Sequence, residues 1–331
     1  GQNLVALNLF CKMPRSFQTL DRDLYPNILK ACGSLKALNE GAMIHDLIMR
    51  NLIEESDVIL GSALIDMYAK FSWLCEAHQM LNELSNPDTI SWTSLIAGYV
   101  EKDFHDEALE CLRQMQLEGM VPDSITFMCC LKSCGEMEAI GKGQEIHASI
   151  VEDGYEEDHH LGSALVEMYI RLRLLEEAQD VFDELKAQDV VGWTSMIKAY
   201  TDHGLGESAL NCFQRMQENA VDSDAVTFAC VLKSCSITES IALGQALHAQ
   251  ILKNGFEKDP FIANSLMDMY LKCCFLHEAK EIFDRLPKKD VISWTALING
   301  YAEHGSTEEA WNCFVQMQSE GIYPNVITYV C

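Results

Sequence analysis

The chain repeats itself at intervals of 101 residues, and this periodicity constrains its fold more than any other feature. The interval separates Trp92 from Trp193 and Trp193 from Trp294, and several other aromatic, alanine and cysteine positions follow the same step. Units that recur at a fixed spacing pack mainly against their neighbours, so that the core runs along the stack. The periodicity therefore predicts a solenoid rather than a globular domain with one central core.

Each 101-residue unit contains three similar segments of 35, 35 and 31 residues. A 36-residue copy and a 31-residue copy precede the first complete unit, and both chain ends interrupt a cycle. The predicted segments are 1–21 (partial), 22–57, 58–88, 89–123, 124–158, 159–189, 190–224, 225–259, 260–290, 291–325 and the start of another at 326–331.

Every segment has the pattern of two amphipathic helices. In 89–123 the first apolar stripe has the i, i+3, i+4, i+7 spacing of a helix, with Trp92, Leu95, Ile96 and Tyr99. A second stripe follows at Ala108, Leu109, Leu112 and Met115. Gly119 and Pro122 are expected to end the second helix. Because one hairpin cannot bury both stripes, we predict an all-α solenoid of stacked helix-turn-helix repeats.

The formal net charge of −26 argues against a nucleic-acid ligand, because such binding is driven in part by neutralising phosphates. Net charge, however, sums the whole surface, whereas a ligand responds to the potential in the groove that it occupies. No run of about 18 apolar residues occurs, so we expect no membrane-spanning helix and no membrane partner.

The 14 cysteines lie inside apolar helical patterns, and Cys111, Cys212 and Cys313 share one repeat position. This placement predicts buried, reduced thiols that pack as small apolar groups. No two cysteines have C-x-x-C spacing, so we predict no structural metal site.

The tetratricopeptide repeat, a peptide-binding helix pair, is the natural alternative. Its W-x2-L-G-x2-Y signature is not met, because Trp92 is followed by Thr-Ser-Leu-Ile, and the alternation of lengths is foreign to it. The segments instead resemble the pentatricopeptide repeat (PPR) proteins of the plant PLS class. ISWTSLIAGY at 90–99, VGWTSMIKAY at 191–200 and VISWTALINGY at 291–301 look like P repeats. VLKSCSITESIALGQALHAQILKNGFEKD at 231–259 resembles the longer L repeat, and SALIDMYAK at 62–70 the short S repeat.

The resemblance sorts the segments into three kinds. The P repeats are 1–21 (partial), 89–123, 190–224 and 291–325; the L repeats are 22–57, 124–158, 225–259 and the start at 326–331; the S repeats are 58–88, 159–189 and 260–290. The family implies a right-handed superhelix that binds one RNA strand, with one nucleotide per repeat. Its fifth and last repeat positions select the base, and its second position contacts the base from the side.

Carried over to this sequence, the implied base readers are Ser62, Asp88, Thr93, Asp123, Ser163, Asp189, Thr194, Asp224, Asn264, Asp290, Thr295 and Asn325. Ser or Thr with Asp resembles the guanine combination, Asn264 with Asp290 the uracil combination, and Thr295 with Asn325 the adenine combination. The L repeats have Pro26, Met128 and Ala229 at position five, beside Asp57, Asp158 and Asp259. Because apolar groups cannot read a base edge, the predicted target is 5′-nGGnGGnUA, running 5′ to 3′ from the first repeat to the last.

The second positions supply apolar side chains that would flank the bases: Ile59, Ile90, Ile125, Val191, Val226, Phe261 and Ile292. His160 interrupts this series. The S repeats carry cations at position 13 that would contact phosphate: Lys70, Arg171 and Lys272.

Structural alternatives stay open for all three sets. The apolar residues could form interlayer core, the Ser, Thr, Asn and Asp residues could cap helices, and the cations could end solvated helices. His45, His147 and His248 recur in the L repeats and are predicted to be packing residues.

Family members direct C-to-U editing in plant organelles, and some carry a C-terminal deaminase-like domain called DYW, whose zinc site needs H-x-E and P-C-x-x-C. His105-Asp106-Glu107 matches the first motif, but the second is absent. We therefore expect a non-enzymatic RNA-targeting module with no cofactor and no metal, from a mitochondrial or chloroplast protein. Any transit peptide, E-type extension or DYW domain is expected to lie outside this sequence. The alternative function is a scaffold that docks multiple organellar RNA editing factor (MORF-type) proteins through its L repeats.

Overall fold

The structure is a computed structural model that describes Leu7 and residues 24–50, 58–186, 188–256 and 259–330. Nineteen helices and no strand occur in these ranges, so the all-α prediction is confirmed. The chain divides into two compact units, Gly1–Lys186 and Ala187–Cys331, which are described separately. Asp57 lies outside the described residues.

In residues 24–50 and 58–186, the first unit has ten helices that alternate between first and second members of hairpins. They are α1 (Tyr25–Leu35), α2 (Leu38–Arg50), α3 (Val58–Lys70), α4 (Leu74–Glu83), α5 (Thr89–Val100), α6 (His105–Leu117), α7 (Ser124–Glu136), α8 (Ile140–Glu152), α9 (His159–Arg171) and α10 (Leu175–Glu184). The odd-numbered helices are the first helices of their repeats.

The second unit continues the same alternation. Its helices are α11 (Val190–Asp202), α12 (Gly206–Glu218), α13 (Ala225–Ile237), α14 (Ile241–Asn254), α15 (Pro260–Lys272), α16 (Leu276–Arg285), α17 (Val291–Glu303), α18 (Thr307–Ser319) and α19 (Val326–Val330). From α3 onward, every first helix in both units begins at the first residue of a predicted segment.

The helix ends follow from local chemistry. The second helix α6 ends at Leu117, and Gly119 follows with φ of 77°, a left-handed conformation that glycine adopts without steric cost. The turns within hairpins also need a left-handed residue, which is Gly204 in one repeat and Asp103, with φ of 61°, in another.

The predicted apolar stripes form the core. Trp92, Trp193 and Trp294 are buried almost completely, as are Ala108 and Met115 on the second helix. Truncation of a buried tryptophan to alanine costs about 3–5 kcal/mol, so these side chains are a large part of the stability of each layer.

Within each unit, successive first helices pack directly on one another: α1 on α3, α3 on α5, α5 on α7 and α7 on α9, then α11 on α13, α13 on α15 and α15 on α17. Small residues permit this approach, since a Cβ atom built on Gly98 would lie 2.7 Å from the Ala69 Cβ. Successive second helices make no comparable set of contacts in the described residues. The first helices therefore form a close-packed layer in each unit.

Candidate nucleic-acid interface

The last residue of a predicted repeat caps the first helix of the next repeat. Asp88, Asp123 and Asp224 have extended backbones, and the Oδ1 atom of each accepts a hydrogen bond of 2.8 Å from the backbone N–H three residues later. Asp189 and Asp290 make the same 2.8 Å bond, and Asn325 accepts at 2.9 Å from the Thr328 N–H. Capping, the structural alternative for these residues, therefore operates in every predicted base-reading repeat.

Capping uses only one atom of the terminal side chain in most of these repeats. The described hydrogen bonds of Asp88, Asp123 and Asp224 all end on Oδ1. Of the two polar atoms of the Asn325 amide, only the oxygen can accept from a backbone N–H. The cap therefore also fixes the orientation of this amide, with its Nδ2 on the other side. A second polar atom with a defined orientation is thus left at each of these four positions.

The position-five hydroxyls lie one turn into the first helices, next to those caps. Thr93 bonds the Thr89 carbonyl at 2.7 Å and lies 3.3 Å from the Asp123 Oδ1 atom. Ser62 likewise bonds the Val58 carbonyl at 2.6 Å and the Asp88 Oδ1 atom at 3.0 Å. Ser62, Thr93, Thr194 and Thr295 are nearly buried, with 6–9% of each residue exposed.

The two remaining readers at position five differ from those four. Ser163 is exposed and bonds the His159 carbonyl at 2.9 Å. The Asn264 Oδ1 atom is buried and has no hydrogen-bond partner among the described residues. A buried amide oxygen without a partner is costly, and a ligand that donates a hydrogen bond would remove that cost.

The apolar residues at position two are on the surface. Their exposed fractions range from 45% for Val226 to 69% for Ile59, with Ile90, Ile125, Val191, Phe261 and Ile292 between these limits. The alternative that they form interlayer core is therefore wrong. Seven large apolar side chains at one repeat position are unlike scattered surface residues, and ordered exposure of this kind is typical of binding surfaces.

One cavity brings predicted groups of three consecutive repeats together. It lies on α3, α5 and α7 of the first unit, has a volume of about 290 Å³, and is lined by Ile90, Thr93, Asp123, Ile125 and Lys70 among others. Ile90, Thr93 and Asp123 are the second, fifth and last positions of the repeat at 89–123, and Ile125 is the second position of the next repeat. The reader cavity, as we call it, thus has apolar sides, two polar reading groups and the Lys70 cation, together with the carboxylates of Asp66 and Glu101.

The three cations that are predicted to contact phosphate form ion pairs within the protein, which the sequence prediction did not include. Lys70 pairs with Asp66 at 2.6 Å and Lys272 with Asp268 at 2.8 Å, each one helical turn earlier. Arg171 contacts two carboxylates, those of Glu136 and Glu167. The i, i+4 spacing of acid and base was visible in the sequence. Such exposed pairs contribute at most about 1 kcal/mol, so a phosphate could replace the carboxylate.

The L repeats have a different arrangement at the same positions. Asp158 uses both carboxylate oxygens, because Oδ1 accepts from the backbone N–H groups of His160 and Leu161 while Oδ2 accepts from the Ser124 hydroxyl at 2.7 Å. The Ser124 bond lowers the pKa of the Asp158 carboxyl. With Ala229 buried and Met128 half-buried at position five, the L repeats offer few groups for reading a base.

Each of the predicted packing histidines contacts the hydroxyl of a tyrosine. The Nδ1 atoms of His147 and His248 lie 2.8 Å and 3.0 Å from the hydroxyls of Tyr169 and Tyr270, and His45 bonds Tyr68 in the same way. Burial lowers the pKa of all three histidines. These pairs join the second helix of an L repeat to the first helix of the following S repeat, away from the position-five residues.

Charge is divided unevenly between the two kinds of helix. The ten first helices contain seven Lys or Arg and six Asp or Glu, whereas the nine second helices contain seven Lys or Arg and twenty-one Asp or Glu. The acidic excess therefore belongs to the second helices and the connecting loops. The first helices, which carry the readers at position five, are close to neutral.

The described residues contain no group of three or more His, Cys, Asp and Glu side chains that could hold a metal ion. His105, from the H-x-E match, is the first residue of α6 and lies 3.1 Å from the Ser133 hydroxyl. No helix in the described ranges is long and apolar enough to cross a membrane. Cys111, Cys212 and Cys313 are buried free thiols, as predicted. Cys129 and Cys230 are only partly buried, and Cys75 and Cys274 are exposed, so the prediction of buried thiols is wrong for these two.

Comparison with known proteins identifies the repeats. A model described as the PPR repeat family matches residues 87–136, 188–236 and 289–331, and a second, described as the PPR repeat, matches 163–190 and 261–291. Together these matches cover more than half of the chain.

Two Arabidopsis thaliana proteins are similar over nearly the whole chain. Pentatricopeptide repeat-containing protein At4g18520, chloroplastic, is 33% identical over 97% of this chain and 52% of its own length. Pentatricopeptide repeat-containing protein At3g24000, mitochondrial, is 34% identical over 95% of this chain and 50% of its own length. The chain thus spans about half the length of these relatives.

The solved structure of PPR10 in complex with an 18-nt psaJ RNA element has a similar fold. Its TM-score is 0.63 at 20% sequence identity, and the match covers 94% of this chain and 52% of PPR10. The described helical hairpins, the family models and the similarity to the plant proteins over nearly all of this chain agree. This chain therefore belongs to the pentatricopeptide repeat family.

Proposed function

We propose that this chain binds single-stranded RNA, with one nucleotide in each base-reading repeat. The reader cavity is the observation that carries the proposal, because it joins exposed Ile90 and Ile125 to the polar atoms of Thr93 and Asp123. A base between the two isoleucines would bury apolar surface on both of its faces, while its edge would meet the hydroxyl and the carboxylate.

The hydrogen-bonding character of the terminal residue supplies the choice of base. With Oδ1 engaged in the cap, Asp123 offers only an acceptor, Oδ2, which suits the N–H and amino donors on the edge of guanine. Asn325, with its Oδ1 engaged in the same way, offers the Nδ2 donor, which suits the ring-nitrogen acceptor of adenine. The proposed target is therefore 5′-nGGnGGnUA, with Asn264 and Asp290 reading the uracil.

The wider role that we propose is the targeting module of an organellar C-to-U RNA editing factor of the PLS class. The order of P, L and S repeats supports the class, and relatives whose names are marked chloroplastic or mitochondrial support either organelle. The solved relative PPR10 is in complex with an RNA element, which supports the ligand class.

A binding measurement with two RNAs of identical composition tests the proposal. Fluorescence anisotropy with 5′-UGGUGGUUA and the scrambled 5′-GUUGAUGUG should give at least about tenfold tighter binding to the first, since each well-matched base contributes of the order of 1 kcal/mol. Equal affinities for the two RNAs would contradict base reading.

A protein-docking scaffold remains the second candidate, and the L repeats favour it. Asp158 has both oxygens occupied, and Ala229 and Met128 present no polar group, so these repeats are suited to a ligand other than a base edge. MORF-type editing cofactors would be the partners.

The salt dependence of RNA affinity separates the two candidates. If Lys70, Arg171 and Lys272 exchange their carboxylates for three phosphates, the logarithm of RNA affinity should fall with the logarithm of salt concentration with a slope of about −2. A chain that only docks protein would bind neither RNA at any salt concentration.

A further inference from the structure

A second hydroxyl, from the following repeat, connects the two reading groups of most base-reading repeats. It belongs to position three of the next first helix, which is Ser91, Thr126, Thr227 or Thr328. These four residues are buried, with at most 3% of each exposed. Buried hydroxyls are retained where their hydrogen bonds are made, and all four are engaged with the reading groups.

The contacts have the same pattern each time. The Thr126 Oγ1 atom lies 2.6 Å from the Thr93 hydroxyl and 2.7 Å from the Asp123 Oδ1 atom. Ser91 makes the corresponding contacts with Ser62 at 2.8 Å and Asp88 at 2.6 Å. In the second unit, Thr227 bridges Thr194 and Asp224, each at 2.7 Å, and Thr328 bridges Thr295 at 2.7 Å and Asn325 at 2.9 Å.

Counting protons assigns a direction to each bond. The Thr126 hydroxyl donates to the Asp123 carboxylate, because a charged acceptor forms the stronger bond. The Thr126 oxygen can then only accept from Thr93, whose other near partners, the Thr89 carbonyl and the Asp123 Oδ1 atom, are also acceptors. The Thr93 hydroxyl proton is therefore donated to a group of the protein, and the hydroxyl oxygen presents a lone pair to a ligand.

The same hydroxyl also orients the terminal side chain. Thr126 gives the Asp123 Oδ1 atom two hydrogen bonds, one from its N–H and one from its O–H, which leaves Oδ2 for a base. At Asn325 the bond from the Thr328 N–H requires the amide oxygen, so rotating the amide by 180° would break it.

We propose that the position-three hydroxyl of the following repeat is a positioning residue that sharpens base selection by the repeat before it. The proposal rests on the RNA-binding function proposed above. It adds a third residue, contributed by a neighbouring repeat, to the pair that meets the base.

Two reader pairs lack this hydroxyl bridge and serve as natural controls. Gly192 stands at position three after the Ser163 and Asp189 pair and has no side chain to donate. Ser293 follows the Asn264 and Asp290 pair, but its hydroxyl bonds the backbone N–H and carbonyl of Asp290 at 2.9 Å and 3.0 Å rather than the carboxylate. Nucleotides five and eight of the target should therefore be read less strictly than nucleotides two, three, six and nine.

The test measures selectivity at nucleotide three with four RNAs that carry G, A, U or C there. For Thr126→Val, the preference for G should fall by about three- to tenfold, the range expected for one lost hydrogen bond, and Thr126→Ser should restore it. If Thr126→Val binds with wild-type selectivity, or weakens all four RNAs equally, the positioning role is wrong.

A second variant keeps the test decisive if Thr126→Val fails to fold. Thr227→Val removes the equivalent hydroxyl beside Thr194 and Asp224 in the second unit, and it should lower the preference for G at nucleotide six by a similar factor. An unchanged preference would overturn the proposal. A wild-type chain that shows no preference at nucleotides two and three would instead overturn the proposed RNA-reading function itself.

Discussion

In the base-reading repeats, we propose two separable tasks for the terminal residue. One side-chain atom caps a helix, as Asp224 Oδ1 does for the Thr227 N–H and hydroxyl, and the other is left for a ligand. The sequence presented capping and base reading as alternatives because it does not show which oxygen is used. The geometry makes them compatible, since the cap holds the side chain in the position from which it would meet a base.

Two substitutions of Asp224 distinguish these tasks. Asp224→Ala removes the cap and should lower the free energy of unfolding by about 1 kcal/mol. Asp224→Asn keeps an oxygen for the Thr227 N–H, as Asn325 does for Thr328, and should retain most of the stability. Urea denaturation of both variants measures this difference. An equal loss in the two would mean that the charge of Asp224 matters more than its cap.

At the scale of elements, the contacts between repeats carry most of what the sequence could not predict. Every first helix from α3 onward begins at the first residue of a predicted segment, because the apolar stripe and the capping residue are both local signals. The Thr93 to Thr126 contact spans 33 residues and the His147 to Tyr169 contact spans 22, and neither has a local signature. The 101-residue period shows which residues are equivalent, but not which of them touch.

The histidine-tyrosine pairs make the interface between L and S repeats sensitive to acid. Burial lowers the pKa of His45, His147 and His248 below the ordinary value of 6.5, so the unfolded chain binds protons more readily. The carboxylates of Glu83, Asp46 and Glu184 oppose this shift at the first two sites, and Arg285 adds to it at His248.

Their contribution to stability is present above pH 6.5 and decreases as the pH falls through that value toward the folded-state pKa values. Urea denaturation at pH 7.5 and pH 5.5 should therefore show a larger loss for the wild type than for a variant with all three histidines changed to glutamine. The same loss in both proteins would assign the acid sensitivity to other groups.

Across the whole molecule, the uneven distribution of charge reduces the electrostatic repulsion expected between an acidic protein and an acidic ligand. The net charge is −26, yet the first helices carry seven basic and six acidic residues. Apart from the Asp readers that precede these helices, RNA along them would meet a nearly neutral surface with few cations to contact its phosphates. Affinity would then depend on base contacts more than on counterion release. Acidic second helices would in turn discourage RNA from binding outside the readers.

The central claim is that individual repeats select individual bases, and one substitution tests it most directly. Asn325→Asp should keep the cap on α19 while replacing the Nδ2 donor with an acceptor. Affinities of both proteins are measured for 5′-UGGUGGUUA and 5′-UGGUGGUUG. The wild type should prefer the RNA ending in adenine, and Asn325→Asp should reverse this preference in favour of guanine. If both proteins rank the two RNAs in the same order, Asn325 does not read the base and the assignment of repeats to nucleotides is wrong.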